Sequence, residues 1–500
     1  MTSAGLAASC TSVWADGDLV AEDGSYLVGE SGAADIAKQR NPIDGFAHVL
    51  VESRGLANPG CEQARTQLGL QRLAEGIVLG EGQRGDEFTE TQGRRKNREL
   101  SACMRPQLGR TIILHRLPVI QGENAMNEST SVNGSIKVGV ITDQTGPLSF
   151  CGIANANVAK MVIDDINAQG GLLGRQIDLH LEDSATTDSV AEAKATKLVK
   201  EHHVDVVFGG IYSSTRQAIK GPAVEKGKTL YIYPEQYEGQ ECDPLIFCTG
   251  PVPAQQVEPL VPWLMQQTGA KKFYLPSADY IWPRVMNKKV RQMVTANGGS
   301  IVGEDYYPLD HTDYSKTVEQ IMSSGAEVVF NTIVPPGMGP FLEQLYKAGF
   351  RKRGGHLVCT YFEENFLNFL PAAHTEGMYS CLDYYQTVGD PFSKELLHRY
   401  DKLYPGGAKF TAGTACSGLY RGLRLGAAAV QEAGSLEQED VIRALDHAKI
   451  AGGPGGPAEM VPGQHHVRMN MYIAQANNGS FKIVKSLGAI DPKECVQGIK

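Results

Sequence analysis

The segment Ile136–Thr187, IKVGVITDQTGPLSFCGIANANVAKMVIDDINAQGGLLGRQIDLHLEDSATT, commits the chain to an α/β fold. IKVGVIT is a short apolar run rich in β-branched residues, the pattern of a strand buried on both faces. DQTGPLSFCG interrupts it with glycine, proline and hydroxyls. The helix that follows places Val158, Met161, Val162 and Ile166 on one face, at spacings of three and four. QGGLLGR closes that helix with glycines able to take positive φ, and QIDLHLED resumes as a second strand. In open sheets of this kind ligands sit in loops outside the carboxyl ends of the strands. DQTGPLSFCG, with Ser149, holds such a position.

The alternation continues. Strands VDVVFGG, TLYIYP and LIFCTG, with helices between, make a first lobe with a parallel sheet. A second series runs through KKFYLPS, SIVGEDYYP, EVVFNTI and HLVCTY, again separated by helices. Helical stretches Pro391–Tyr404, Thr411–Ala433 and Gln438–His447 come next, then strand-like pairs around the turns PGQHH and NNGS. The reading is two Rossmann-like lobes with parallel central sheets, several crossovers and a ligand cleft between them. Residues 135–252 and 383–455 are assigned to lobe 1, residues 253–382 and 456–490 to lobe 2.

Before Met126 no helical or strand period is sustained. Neither MTSAGLAASCTSVWADGDL nor TIILHRLPVI has the form of a signal peptide. Met126 directly precedes a polar leader and the first strand. It is therefore expected to be the natural start, with residues 1–134 an N-terminal extension; a small accessory domain is the alternative. A net charge of −9 gives no attraction to nucleic acid or anionic membrane, and no apolar run reaches the ~18 residues of a membrane span. None of the ten cysteines has metal-type spacing. Cys242 and Cys248 are near enough in sequence to pair, and the scattered remainder leans toward a reducing compartment.

The phrases TGPLSFCG, INAQGGLLGR, GGIYSSTRQAIKGPAVE, YPEQYEGQE, ADYIWPR, NGGSIVGEDYYPLDHTDYS and GPAEMVPGQHH together resemble the type I periplasmic (solute-binding) protein family over nearly all of Ile136–Ile490. Within it the chain is most similar to the leucine-binding-protein-like amide- and urea-binding branch. That branch includes ABC-transporter receptors and the cytoplasmic sensor of amidase operons. The resemblance implies a small-molecule ligand (an amide, urea or amino acid) and, as partner, an ABC permease or a regulatory protein. It implies no cofactor and no metal.

Ser213, Ser214 and Thr215 lie between a strand end and a helix N-terminus, where orphan N–H groups favour a carboxylate or carbonyl oxygen. The resemblance puts Ser213 on the polar head of the ligand, while one of the three hydroxyls is expected to cap the helix. It maps Glu235 onto a pocket position that is threonine in the amide sensor; a carboxylate there accepts from an amide NH₂ or pairs with an ammonium. Glu238 reads as a structural hydrogen-bonding residue. Tyr280 and Trp282, on a strand-end loop, form an aromatic wall with polar handles. Val334, Pro335 and Tyr361 line the far side by topology. No nucleophile–base pair, phosphate loop or dinucleotide fingerprint is legible, so the chain reads as a binder without turnover. Location stays open: the resemblance points to the periplasm, the cysteines and leader to the cytoplasm.

Overall fold

A computed structural model describes residues 134–496. The expected extension and the Met126 start lie outside the described residues. Strands β1 (Ile136–Thr142), β2 (Ile177–Asp183), β3 (Val206–Gly209), β4 (Leu230–Tyr233) and β5 (Ile246–Cys248) form the sheet of lobe 1 in the order β2-β1-β3-β4-β5, every neighbour parallel. Strands β6 (Lys272–Ala278), β7 (Ser300–Tyr307), β8 (Val328–Phe330), β9 (His356–Val358) and β10 (Tyr379–Leu382) repeat the pattern in lobe 2, as β7-β6-β8-β9-β10. Both are therefore the doubly wound 2-1-3-4-5 order, in which the winding reverses beside the first strand.

The lobes are not separate sheets. After the short strands β11 (Lys449–Ile450) and β12 (Ala458–Val461), β13 (His466–Asn477) starts beside β5 and continues antiparallel to β10. It thereby joins the two lobes in one eleven-stranded path, and with β11, β12 and β14 (Ser480–Ile490), which pairs antiparallel with β13, the sheet counts 14 strands. Twelve residues of strand reach about 40 Å, which is why one element can serve two sheets.

Helices α1 (Ser149–Ala168), α2 (Asp188–Lys197) and α3 (Ser213–Lys220) belong to lobe 1; α4 (Pro253–Thr268), α5 (Ile281–Ala296), α6 (Ser315–Ser323), α7 (Met338–Lys347), α8 (Glu364–Phe369) and α9 (Ala372–Thr375) follow with lobe 2. Then come α10 (Pro391–Leu403), α11 (Ser417–Ala433) and α12 (Gln438–Leu445). The four apolar residues expected on α1 are all buried. After Lys220 the chain loosens into wide turns over Gly221–Lys226, where Pro222 has no N–H to continue an α-helix. Helix α11 begins at Ser417 rather than at the expected Thr411. A bridge between Thr411 and Cys416, and positive φ at Gly413 and Cys416, occupy the preceding residues.

Two close approaches set the strand ends that matter below. Gly209 has φ +119°, and a Cβ there would lie 1.9 Å from the Ile141 carbonyl oxygen. A Cβ at Gly152 would lie equally close to the Asp143 carbonyl, so α1 sits directly on the loop after β1. The cysteine pairing differs from expectation. Cys242 joins Cys495, with Cα atoms 5.6 Å apart, while Cys248 is a buried thiol on β5. The partner lies 253 residues along the chain, beyond any argument from spacing.

Candidate ligand-binding cleft

The switch points of the two sheets, β1/β3 and β6/β8, face one another. Lobe 1 brings Ile211, Tyr212 and Ser213 from the end of β3 and Leu148 from the loop after β1. Lobe 2 brings Tyr280 and Trp282 from the end of β6, Val334 and Pro335 from β8, and Tyr361 from β9. With Gln236 and Phe366 they surround a cavity of about 30 Å³, room for roughly two waters. The lobes are closed on each other. The Tyr212 hydroxyl donates to the Pro335 carbonyl at 2.8 Å, and the Tyr212 and Tyr280 rings meet with centroids 5.5 Å apart. Trp282 stands edge-on to Tyr361 at 5.5 Å. Burial pushes the Tyr212, Tyr280 and Tyr361 phenols up, so each is neutral at physiological pH.

Ser213 opens α3, whose first N–H groups have no acceptor inside the helix. Its hydroxyl donates to Glu238 Oε2 at 2.5 Å. Glu238 Oε1 accepts from Arg216 Nη2 at 2.8 Å. The Arg216 guanidinium is buried, 5.1 and 4.6 Å from the Tyr233 and Tyr237 ring centroids, with Nε 3.7 Å from Glu241. Burial works against its charge and is the largest single effect, but Glu238, by charge and hydrogen bond, together with Tyr233 and Tyr237, outweighs it and holds the guanidinium protonated. Across the cavity, the Trp282 Nε1–H is buried without a partner.

The family model for periplasmic binding proteins matches residues 135–480. This chain belongs to the periplasmic binding protein family. Similar relatives include the Leu/Ile/Val-binding protein homolog 8 of Brucella abortus, 24% identical over 234 residues, which are 44% of this chain and 57% of that protein. Homolog 7 of the same organism is 23% identical over 230 residues. The chain thus spans about half the length of the curated relatives it matches. Among solved structures, a solute-binding protein of an ABC transporter from R. palustris in complex with 4-hydroxybenzoate superposes with TM-score 0.63 at 23% identity, covering 72% of this chain and 98% of that one. A leucine-binding protein from Thermotoga maritima gives TM-score 0.63 at 17% identity, covering 71% and 99%. Members of this family are solute-binding proteins, not enzymes, and these likenesses establish the two-lobed periplasmic binding protein fold.

Of the nine residues the sequence placed at the ligand, Ser213, Tyr280, Trp282, Val334, Pro335 and Tyr361 line the one cavity. Ser214, Ser149 and Glu235 do not. The Ser214 and Thr215 hydroxyls donate to Asp188 Oδ1, at 3.1 and 2.9 Å, and so tie α3 to the start of α2; no side chain caps α3. Ser149 opens α1, and its neighbour Leu148 takes the cavity position. Glu235 points into the protein, where Oε1 accepts from Asn155 Nδ2 at 2.9 Å. Gln236, the next residue in the bend after β4, lines the cavity instead. Leu148, Ile211, Tyr212, Gln236 and Phe366 were not anticipated. Tyr212 and Gln236 carried a signal, since each adjoins a residue chosen from the same loop.

Beneath the cleft lies a group of buried acids. Burial raises Glu235 well above the usual carboxyl range and lifts Glu363 to about 8, Glu364 to about 7 and Asp143 to about 6. The folded periplasmic binding protein therefore keeps protons that the unfolded chain releases above the ordinary value of about 4.5. The associated stability is complete below that value and is lost as pH rises through about 8. The melting temperature is expected to fall between pH 5 and pH 8, and Glu363→Gln to flatten the fall. Calorimetric melts at the two pH values check this; a flat or rising wild-type trend would contradict it.

Proposed function

We propose that this protein is the capture receptor of an ABC importer and closes its lobes on a short amide or urea. The supporting observation is the opposed polarity of the cavity walls. Ser213 spends its only hydrogen on Glu238, which, paired with Arg216, accepts and does not donate. The lone pairs of Ser213 are left to accept from a ligand N–H. Trp282 Nε1–H offers only a donor, to a ligand carbonyl. A primary amide carries both groups on adjacent atoms and so bridges lobe 1 to lobe 2. A carboxylate would set its oxygens against the Ser213 lone pairs. The ammonium of an amino acid meets no carboxylate in the lining. The small cavity favours a ligand of few heavy atoms, and the aromatic wall holds its apolar end.

Binding to both walls favours the closed state by the difference in affinity between closed and open forms, and the permease reads that closed shape. The Cys242–Cys495 disulfide supports capture outside the cytoplasm over the second binding role, a cytosolic amide sensor, because cytosolic thiol pools keep such pairs reduced.

Thermal melts of the full chain with acetamide, urea, acetate, benzoate and leucine test the reading. Acetamide or urea at a hundred times its dissociation constant should add about 2.7 kcal/mol. Ser213→Ala should weaken that binding by about 1 kcal/mol, roughly fivefold. Stabilisation by acetate, benzoate or leucine with none by the amides would overturn it.

A further inference from the structure

The larger void of lobe 1 lies at the other end of the same strands. It measures about 330 Å³ and is bounded by the first residues of β1, β3 and β4, with α11 and α12 across from them. From there to the cleft is the length of β1, about 20 Å. The two sites share no residue.

Its origin is visible in α11. At Gly422 a Cβ would stand 3.0 Å from Ile232 Cγ2 and 3.1 Å from Thr249 Oγ1, so the helix presses on the sheet. One turn later, at Gly426, the nearest atoms are Ile232 Cδ1 at 3.7 Å and Phe208 Cζ at 3.9 Å. The helix is splaying away from the sheet, and the residues facing the gap there, Gly426 and Ala427, are too small to fill it. Helix α12 closes the far side, pinned by Gln438 Oε1, which accepts from the Leu230 N–H at 3.0 Å. Interiors are normally packed without voids larger than a water, so a gap of this size is unusual.

The walls are apolar: Val138, Ile166, Leu230, Leu423, Val430 and Val441 among them. The charged residues of the lining are Lys228 and Asp205, of opposite sign. An apolar void of about 150 Å³ stays dry and takes up benzene, so one about twice as large accommodates a bicyclic arene or a chain of about eight carbons.

We propose that lobe 1 carries a second binding site, at the amino ends of its strands, for a small neutral molecule with a hydrocarbon body. The opposite charges of Lys228 and Asp205 select against a net charge, and the polar side chains of the lining are already engaged, Thr229 with the Gly227 carbonyl and Gln438 with the Leu230 N–H.

The probe is 1-naphthol, titrated into the full chain and followed by its fluorescence. One saturable site is expected, with acetamide leaving it undisturbed. Gly426→Leu directs its side chain into the void and should weaken naphthol at least tenfold. Gly426→Ala, whose added methyl meets only ordinary contacts, keeps the fold and should weaken it less. Circular dichroism establishes that each variant is folded; should the leucine variant fail to fold, the alanine variant alone decides. Absence of saturable binding, displacement of naphthol by acetamide, or affinity untouched by the substitution in a folded variant would each overturn the proposal.

Discussion

Arg216→Ala is expected to lower folding stability by about 3–5 kcal/mol, the usual loss when one member of a buried ion pair is removed. The side chain is 2% exposed and sits between Tyr233 and Tyr237. Its removal leaves Glu238 facing Ser213 with no counter-charge, and Glu241 with only Lys220, at 2.8 Å. Two cation–π contacts go with it. Arg216→Lys should recover part of the loss, since an ammonium restores charge but not the planar fork or the stacking. Urea denaturation of the three proteins measures this. A midpoint for Arg216→Ala within experimental error of wild type would show that the buried pair contributes nothing. The same substitution should weaken amide binding, because Glu238 loses the Arg216 contact that holds its carboxylate in place to fix the direction of the Ser213 hydroxyl.

Cys242→Ser is expected to cost about 2–5 kcal/mol. The bond closes a loop of 253 residues, so its loss releases a large constraint on the unfolded chain. It also frees the C-terminal segment at its end. That segment is otherwise held to the loop after β4 by the Gln240 N–H donating to Glu494 Oε2 at 2.8 Å, and to α4 by Lys493 pairing with Glu258 at 2.8 Å. The second contact is exposed and worth little by itself. Melting with and without a reducing agent checks the prediction. Identical melting temperatures would mean that the bond does not form in solution or adds no stability.

Much of the fold was legible because its signals are local. Buried parallel strands such as IKVGVIT are read from composition alone, and glycines mark where helices turn back. What escaped the sequence depends on distant partners. The joining of two sheets by β13 follows from His466 lying beside Cys248 and Leu382 beside Tyr472. The disulfide depends on the folded path of the C-terminus. At the cleft, Ser213, Tyr280, Trp282, Val334, Pro335 and Tyr361 line the cavity as the sequence suggested, whereas in the loops after β1 and β4 a neighbouring side chain does so in place of Ser149 and Glu235. The exchange of Glu235 for Gln236 is one residue within the loop after β4, and the buried Asn155 that receives Glu235 lies on a helix 80 residues earlier. The unpaired Trp282 N–H and the engaged Ser213 hydroxyl, on which ligand polarity turns, have no sequence signature at all.

The indole ¹⁵N–¹H resonance of Trp282, assigned by its loss in Trp282→Phe, reports on the proposed contact itself. Titrating the full chain with acetamide should move it downfield, saturably, as the N–H gains a carbonyl acceptor. A resonance that stays in place while calorimetry registers acetamide binding would contradict the account, because the amide would then be held somewhere other than between the two walls.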